Sequence, residues 1–287
     1  MTQFQDFWYS SFDQLRLYAR DYGATDNKPA LICIPGLTRN SADFEALCPQ
    51  LAKNWRVLAV DLRGRGRSAW DPDPENYHPG IYAQDIQALM EAAQLKEAVF
   101  IGTSLGGLVS MTLAAMQAQV VRGIVLNDVG PELNPEGVAR IRSYITDYSP
   151  TRDWDDAIAR TRASQQDALP GLSDEHWQVF TRRLYREDAD GRPVLDYDRN
   201  IAQLFENADS ETANADLWPL FTLLSEIPML VLRGEHSDII SADTVTRMEL
   251  EHPNLRAVTV ANRGHAPLLD EPEALQAILS YLEDISS

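Results

Sequence analysis

The chain reads as an α/β fold: a mostly parallel central sheet with helices on both faces and a helical segment inserted into it. Two observations predict this. Short, continuously apolar runs alternate with stretches of helical spacing, and that alternation breaks once, over a long polar interval. Runs that are apolar throughout suit strands covered on both faces, as in a parallel sheet.

The strand runs are Ala30–Ile34, Arg56–Val60, Ala98–Ile101, Gly123–Leu126, Met229–Leu232 and Ala257–Val260, each rich in Val, Ile and Leu and ending at Gly, Pro, Asp or Asn. Between them, residues 41–53 carry Phe44, Leu47 and Leu51 at helical spacing, and residues 82–93 carry Ile86, Leu89 and Met90. Residues 105–117 are apolar on most sides and predict a buried helix. Residues 272–285 close the chain with Leu275, Ile278, Leu279 and Leu282. Strand runs stop between about Pro131 and Trp218. Helices are expected there at 135–146, 154–164 and 173–183, with a loop over 187–198 around an Asp-Gly pair. The expected organisation is a core of residues 1–130 and 219–287 with a helical cap at 131–218.

Composition narrows the function classes. The 287 residues carry 44% hydrophobic and 24% charged side chains, as an ordinary soluble globule does. A net charge of −18 repels phosphate backbones and anionic lipid heads, so neither a nucleic-acid nor a membrane role is expected. No run approaches the roughly 18 apolar residues of a membrane span. No basic segment followed by an apolar one opens the sequence, and a cytoplasmic location is the default expectation. The two cysteines, Cys33 and Cys48, form neither a disulfide framework nor a zinc pattern and are expected to be reduced.

Residues 102–107 read Gly-Thr-Ser-Leu-Gly-Gly, directly after a strand run and before a helix. A serine held in an unfavourable backbone conformation needs small neighbours two positions away, and Gly102 and Gly106 supply them. The hydroxyl then stands over a helix N-terminus with unpaired amides. Ser104 is therefore the candidate nucleophile, and it needs a base. Of five histidines, His265 stands out, in Ala-Asn-Arg-Gly-His-Ala-Pro after the last strand run. His176 and His252 lie in polar, helix-like surroundings and are expected to be solvated; His78 sits in a loop, and His236 follows a strand. The base needs an acid to orient it. Asp238, after Met229–Leu232, is the first choice; Asp128, after Gly123–Leu126, is the alternative. The oxyanion hole is expected from the backbone amides of Leu105 and Leu37, the latter freed by Gly36.

With these pieces in order, nearly the whole chain resembles the α/β-hydrolase superfamily. Besides the serine and histidine segments, the resemblance covers Leu15-Arg-Leu-Tyr-Ala-Arg-Asp-Tyr-Gly23, Pro35-Gly36 and Asp61-Leu-Arg-Gly-Arg-Gly-Arg-Ser68. It implies a cap over the site and a hydrolase that needs no cofactor. Ser104 stands where haloalkane dehalogenases and epoxide hydrolases carry Asp. Thr103 and Ala266 replace the Asn and Trp usual in hydrolases that cleave carbon–carbon bonds of ring-fission products. The expected activity is that of a serine esterase or lactonase on a small molecule. The alternatives are such a carbon–carbon hydrolase and a non-catalytic small-molecule receptor.

Other signals carry less. Gly64-Arg-Gly66 lacks the third glycine of a dinucleotide fingerprint. Residues 71–76 begin like a calcium loop, but its sixth and twelfth positions are Asn76 and Tyr82. No histidine pair has metal spacing. Tyr144, Trp154, Trp177, Tyr185 and Phe205 are expected to build the subdomain's core or line a pocket, and Trp218 could do either. Arg39, beside the expected oxyanion loop, would meet a substrate carboxylate or a surface carboxylate.

Overall fold

The computed structural model describes residues 4–23, 28–147, 149–203 and 216–286. An eight-stranded sheet forms the centre. In chain order its strands are β1 (Gln5–Ser10), β2 (Arg16–Asp21), β3 (Ala30–Ile34), β4 (Val57–Asp61), β5 (Ala98–Thr103), β6 (Val121–Asn127), β9 (Met229–Gly234) and β10 (Leu255–Val260). Their spatial order is β1-β2-β4-β3-β5-β6-β9-β10. β1, β2 and β4 pair antiparallel, and every other neighbour pair is parallel.

The helices are α1 (Cys48–Leu51), α2 (Pro79–Ala92), α3 (Leu105–Met116), α4 (Pro135–Ile145), α5 (Trp154–Gln165), α6 (Asp174–Arg182), α7 (Trp218–Leu223), α8 (Ala242–Glu251) and α9 (Pro272–Ile285). They cover both faces of the sheet, so β3, β4 and most of β5 are buried at every residue. The period of two sorts their side chains. Ile32, Ile34, Leu58, Val60 and Phe100 join one core with α2 and α3. Leu31, Cys33, Val57, Ala59, Val99 and Ile101 join the other with α1 and α9.

The helix expected over residues 41–53 is not continuous. Residues 41–53 are a 3₁₀ turn (Ser41–Phe44) followed by the four-residue α1, with Asn40 capping the first by accepting from the Ala42 amide at 3.0 Å. The apolar spacing was real, but a single helix would have put Pro49 in its interior, which a helix does not accommodate. The β1–β2 hairpin gives no apolar strand signal in the sequence, because β1 is half exposed and has no continuous apolar run.

The interval between β6 and β9 holds α4, α5 and α6, a 3₁₀ turn (Arg199–Ala202) and α7. Residues 187–198, expected to be a loop, instead complete a small antiparallel hairpin of β7 (Tyr185–Glu187) and β8 (Pro193–Leu195). Its turn is set by Gly191 at φ +75° and by the Asp188 carboxylate, which accepts from the amides of Asp190 and Arg192 at 2.9 Å. The hairpin's exit strand is joined to the core by backbone: the Gly66 amide donates to Asp196 O at 2.9 Å and the Asp198 amide to Gly64 O at 2.7 Å. Tyr77 locks the joint by donating to Asp198 Oδ2 at 2.6 Å. Among the described residues, no helix is long and apolar enough to cross a membrane.

From β3 the chain moves to β4 on one side, then returns to build β5 and β6 on the other. That reversal leaves a crevice at the carboxyl ends of β3 and β5, where open α/β sheets hold their ligands.

Candidate active site

Ser104 occupies the tip of the turn between β5 and α3, at φ 51° and ψ −114°. The left-handed φ costs a non-glycine residue on the order of 1–3 kcal/mol, and the surrounding packing has to hold it. The glycines show how. A Cβ on Gly102 would fall 2.3 Å from the backbone carbon of Gly106, and one on Gly106 would fall 2.1 Å from Ile34 O. The turn is thus wedged between its own helix and the end of β3, with room for no side chain. Ser104 is anchored from behind by its amide, which donates to Asn127 O at 2.9 Å.

His265 lies on the loop after β10, and its Nε2 is 2.9 Å from Ser104 Oγ. Its Nδ1 is 2.7 Å from Asp128 Oδ2. A carboxylate offers only acceptors, so Nδ1 carries the proton and Nε2 is free to accept from the serine hydroxyl. Asp128 follows β6, is fully buried, and has φ 58°. Its Oδ1 accepts from the Gly234 amide at 2.7 Å and its Oδ2 from Ser237 Oγ at 2.6 Å. The carboxylate is therefore fixed from β9 as well as from β6.

Asp238, the first choice for the acid, is elsewhere engaged: both its carboxylate oxygens accept from Arg140 of α4. Burial works to raise its pKa, but the hydrogen bonds and charge of Arg140 outweigh it and hold the carboxyl below its ordinary value. The structure thus puts the alternative, Asp128, against His265. Ser237 was missed because a serine beside two more conspicuous residues, His236 and Asp238, gives no local signal. Asn127 was missed too; it is buried and donates through Nδ2 to Thr103 Oγ1 and to Pro267 O, both at 3.0 Å, tying the serine turn to the histidine loop.

The loop after β3 passes close to the serine. A Cβ on Gly36 would sit 3.9 Å from Ser104 Cβ. Leu37 lines the same space, and Leu105 is the first residue of α3, directly after Ser104, where the amide has no intrahelical acceptor. Ser104 and His265 open on a cavity of about 340 Å³, roofed by residues of α4, α5, α6 and the β7–β8 hairpin. Tyr144 and Tyr185 line it, and burial raises both phenols. Trp177 instead packs with Leu169 and Phe180 in a separate cluster, and Trp154 is not among the lining residues. Trp218 is buried in the main core under Arg247; Phe205 lies outside the described residues. Arg39 reaches the cavity wall but spends its guanidinium on Asp43, its Nε donating at 2.7 Å. His252 is not solvated: it is buried against Phe221, with Nε2 3.1 Å from Leu224 O, and burial lowers its pKa.

The motif of residues 61–68 is structural. Asp61 accepts from the amides of Ser41 at 2.7 Å and Arg67 at 2.8 Å, and Gly64 and Gly66 both take positive φ. Arg63, fully buried, meets Asp13, Asp71 and Asp85 at 2.5–2.8 Å.

Comparison with known proteins agrees with this architecture. A family model described as the alpha/beta hydrolase family matches residues 31–278. A 3-hydroxybutyrate-oligomer hydrolase from Cupriavidus necator is 31% identical, covering 90% of this chain and 89% of its own. A 2-(acetamidomethylene)succinate hydrolase from Mesorhizobium japonicum is 28% identical over 89% of this chain and 88% of its own. A crystal structure of an alpha/beta hydrolase from Novosphingobium aromaticivorans superposes with a TM-score of 0.92 at 43% identity, covering 99% of both chains.

Proposed function

The chain belongs to the alpha/beta hydrolase family, and on that premise we propose that it is a serine hydrolase that cleaves a small carboxylic ester or lactone through an acyl-enzyme. The observation that carries the reading is the pair of contacts at His265, 2.9 Å to Ser104 Oγ and 2.7 Å to Asp128 Oδ2, at a serine held in a left-handed turn.

The chemistry follows from those atoms. Ser104 Oγ attacks the substrate carbonyl while His265 Nε2 takes its proton. Asp128 keeps the ring oriented and stabilises the imidazolium. The amides of Leu37 and Leu105 hold the oxyanion; a donor of this kind contributes roughly 10²–10³ in rate. The imidazolium then protonates the departing alcohol as the C–O bond breaks, leaving the acyl group on Ser104. Water, deprotonated by Nε2, attacks that acyl group, and the acid departs. Residues 131–218 act as a cap over the site, which bounds the space for the acyl group. One relative is named for 3-hydroxybutyrate oligomers, which are chains of esters, and this supports ester over carbon–carbon cleavage.

The test is release of p-nitrophenol from short p-nitrophenyl esters. The wild-type protein should turn them over, and Ser104→Ala should lose at least a thousandfold. A serine variant with full activity would overturn the reading. Tight binding without product over a long incubation would favour a receptor instead.

A further inference from the structure

Resting on that reading, we propose that the substrate carries a free carboxylate and that Arg183 is the residue that recognises it. The first observation is a reversal of charge. The chain holds 43 Asp and Glu against 25 Lys and Arg. The cavity at Ser104 is lined by five arginines, Arg39, Arg160, Arg183, Arg192 and Arg199, against three aspartates, Asp43, Asp147 and Asp188. A positive hollow in a strongly negative protein concentrates anions at its mouth.

The second observation distinguishes Arg183 from Arg39 and Arg160. Arg39 is already paired with Asp43. Arg160 donates to Asp156 at 3.1 Å, and its side chain is more than a third exposed. Arg183 is different. It follows α6, its carbonyl is pinned by Asn40 Nδ2 at 2.9 Å, and its side chain is mostly buried. Its Nε is buried with no hydrogen-bond acceptor among the described residues. Glu45 is 3.7 Å away, too far for a hydrogen bond, and its other carboxylate oxygen is taken by Arg20 at 2.7 Å. Glu45 thus gives Arg183 only a loose ion pair, and a buried N–H without an acceptor is costly. A carboxylate fits the planar fork of an arginine. Seated there, it would anchor one end of a short ester whose carbonyl reaches Ser104.

The test compares 4-nitrophenyl hydrogen adipate with its neutral methyl ester. Wild-type protein should favour the acid form at least tenfold in kcat/KM. Arg183→Gln should reduce that preference about 10- to 100-fold, chiefly through KM, the loss expected of one charge-assisted contact. Arg183→Lys should restore part of it. Arg182→Gln, at the neighbouring arginine that stacks on Trp154, should leave the preference as it is. A wild-type ratio near one, or a ratio that Arg183→Gln does not move, overturns the proposal while the serine hydrolase reading stands. Binding separates the two further. Adipate should raise the Tm of Ser104→Ala, and the rise should vanish in Ser104→Ala/Arg183→Gln. If neither ester is cleaved yet adipate stabilises through Arg183, the carboxylate site holds and the esterase reading falls. If adipate stabilises neither variant, the carboxylate site falls.

Discussion

Arg140 of α4 grips both carboxylate oxygens of Asp238, while one strand away Asp128 faces His265 Nδ1 at 2.7 Å. Two acids therefore stand near one histidine, and an ion pair with the inserted segment occupies the first of them. Asp128→Asn should lower kcat by about 10⁴, the loss typical when the base loses its orienting acid. Asp238→Asn should keep turnover within about tenfold. Steady-state kinetics on p-nitrophenyl butyrate decides, and the reverse ranking would return the acid to Asp238.

The turn at Ser104 opposes stability to activity. Glycine adopts its left-handed φ without the serine's penalty. Ser104→Gly should abolish turnover yet raise stability by about 1 kcal/mol, or roughly 2–4 °C in Tm, after glycine's entropic cost. Thermal unfolding of the two proteins side by side checks it, and a fall in Tm would mean that the turn is unstrained.

At the neighbouring glycine the sign reverses. Gly106→Ala would drive a methyl to 2.1 Å from Ile34 O, a backbone atom of the central sheet. Overpacking of this kind costs about 1–3 kcal/mol or more. A lower midpoint in urea is expected, together with impaired catalysis, because β3 and the serine turn must separate.

Arg63 should matter for folding and not for chemistry. It is buried among Asp13, Asp71 and Asp85, and burial lifts Asp85 to about 6 even with Arg63 beside it. Arg63→Met leaves buried carboxylates without their cation and should cost about 3–5 kcal/mol in urea unfolding. Asp85→Asn added to it should recover part of the loss, as a coupled pair requires.

Asp196 gives a pH signature. Burial, then the charge of Asp61, raises its pKa to about 6. Between about pH 4, where the unfolded residue titrates, and about pH 6, the folded state binds more protons than the unfolded chain. Its contribution to stability therefore falls as pH rises through that window and stays low above it. Asp196→Asn should gain about 1 kcal/mol over wild type at pH 8 and little at pH 4. Thermal melts at the two pH values measure the difference directly.

What could be read from the residues depended on how locally each feature is encoded. Strands β3 to β6 and β9 announce themselves because both faces are buried, so a one-dimensional apolar run suffices; the edge strand β10 is only partly covered and shows through Val258 and Val260. β1 and β7 do not, since half of β1 and two of the three residues of β7 are exposed. The order Ser, Asp, His is satisfied by Asp128 and Asp238 alike. Only the pairing of β6 with β9, and the arrival of Arg140 from a helix about a hundred residues earlier, separates them. His252 looked solvated from its charged neighbours; its burial comes from Leu224 and Phe221, which are distant in sequence. Arg183 is one arginine in a polar stretch, and its place on the cavity wall and its unmet Nε come only from the fold.

The backbone joint between residues 64–66 and 196–198 fixes where this chain can be spliced. A chimaera that imports a foreign insert between β6 and β9 alone would orphan Gly64 O and Gly66 N and strip the Tyr77 hydroxyl of its acceptor. The transferable module is therefore discontinuous: the insert travels together with the 61–77 loop, and substrate range cannot be regrafted without it.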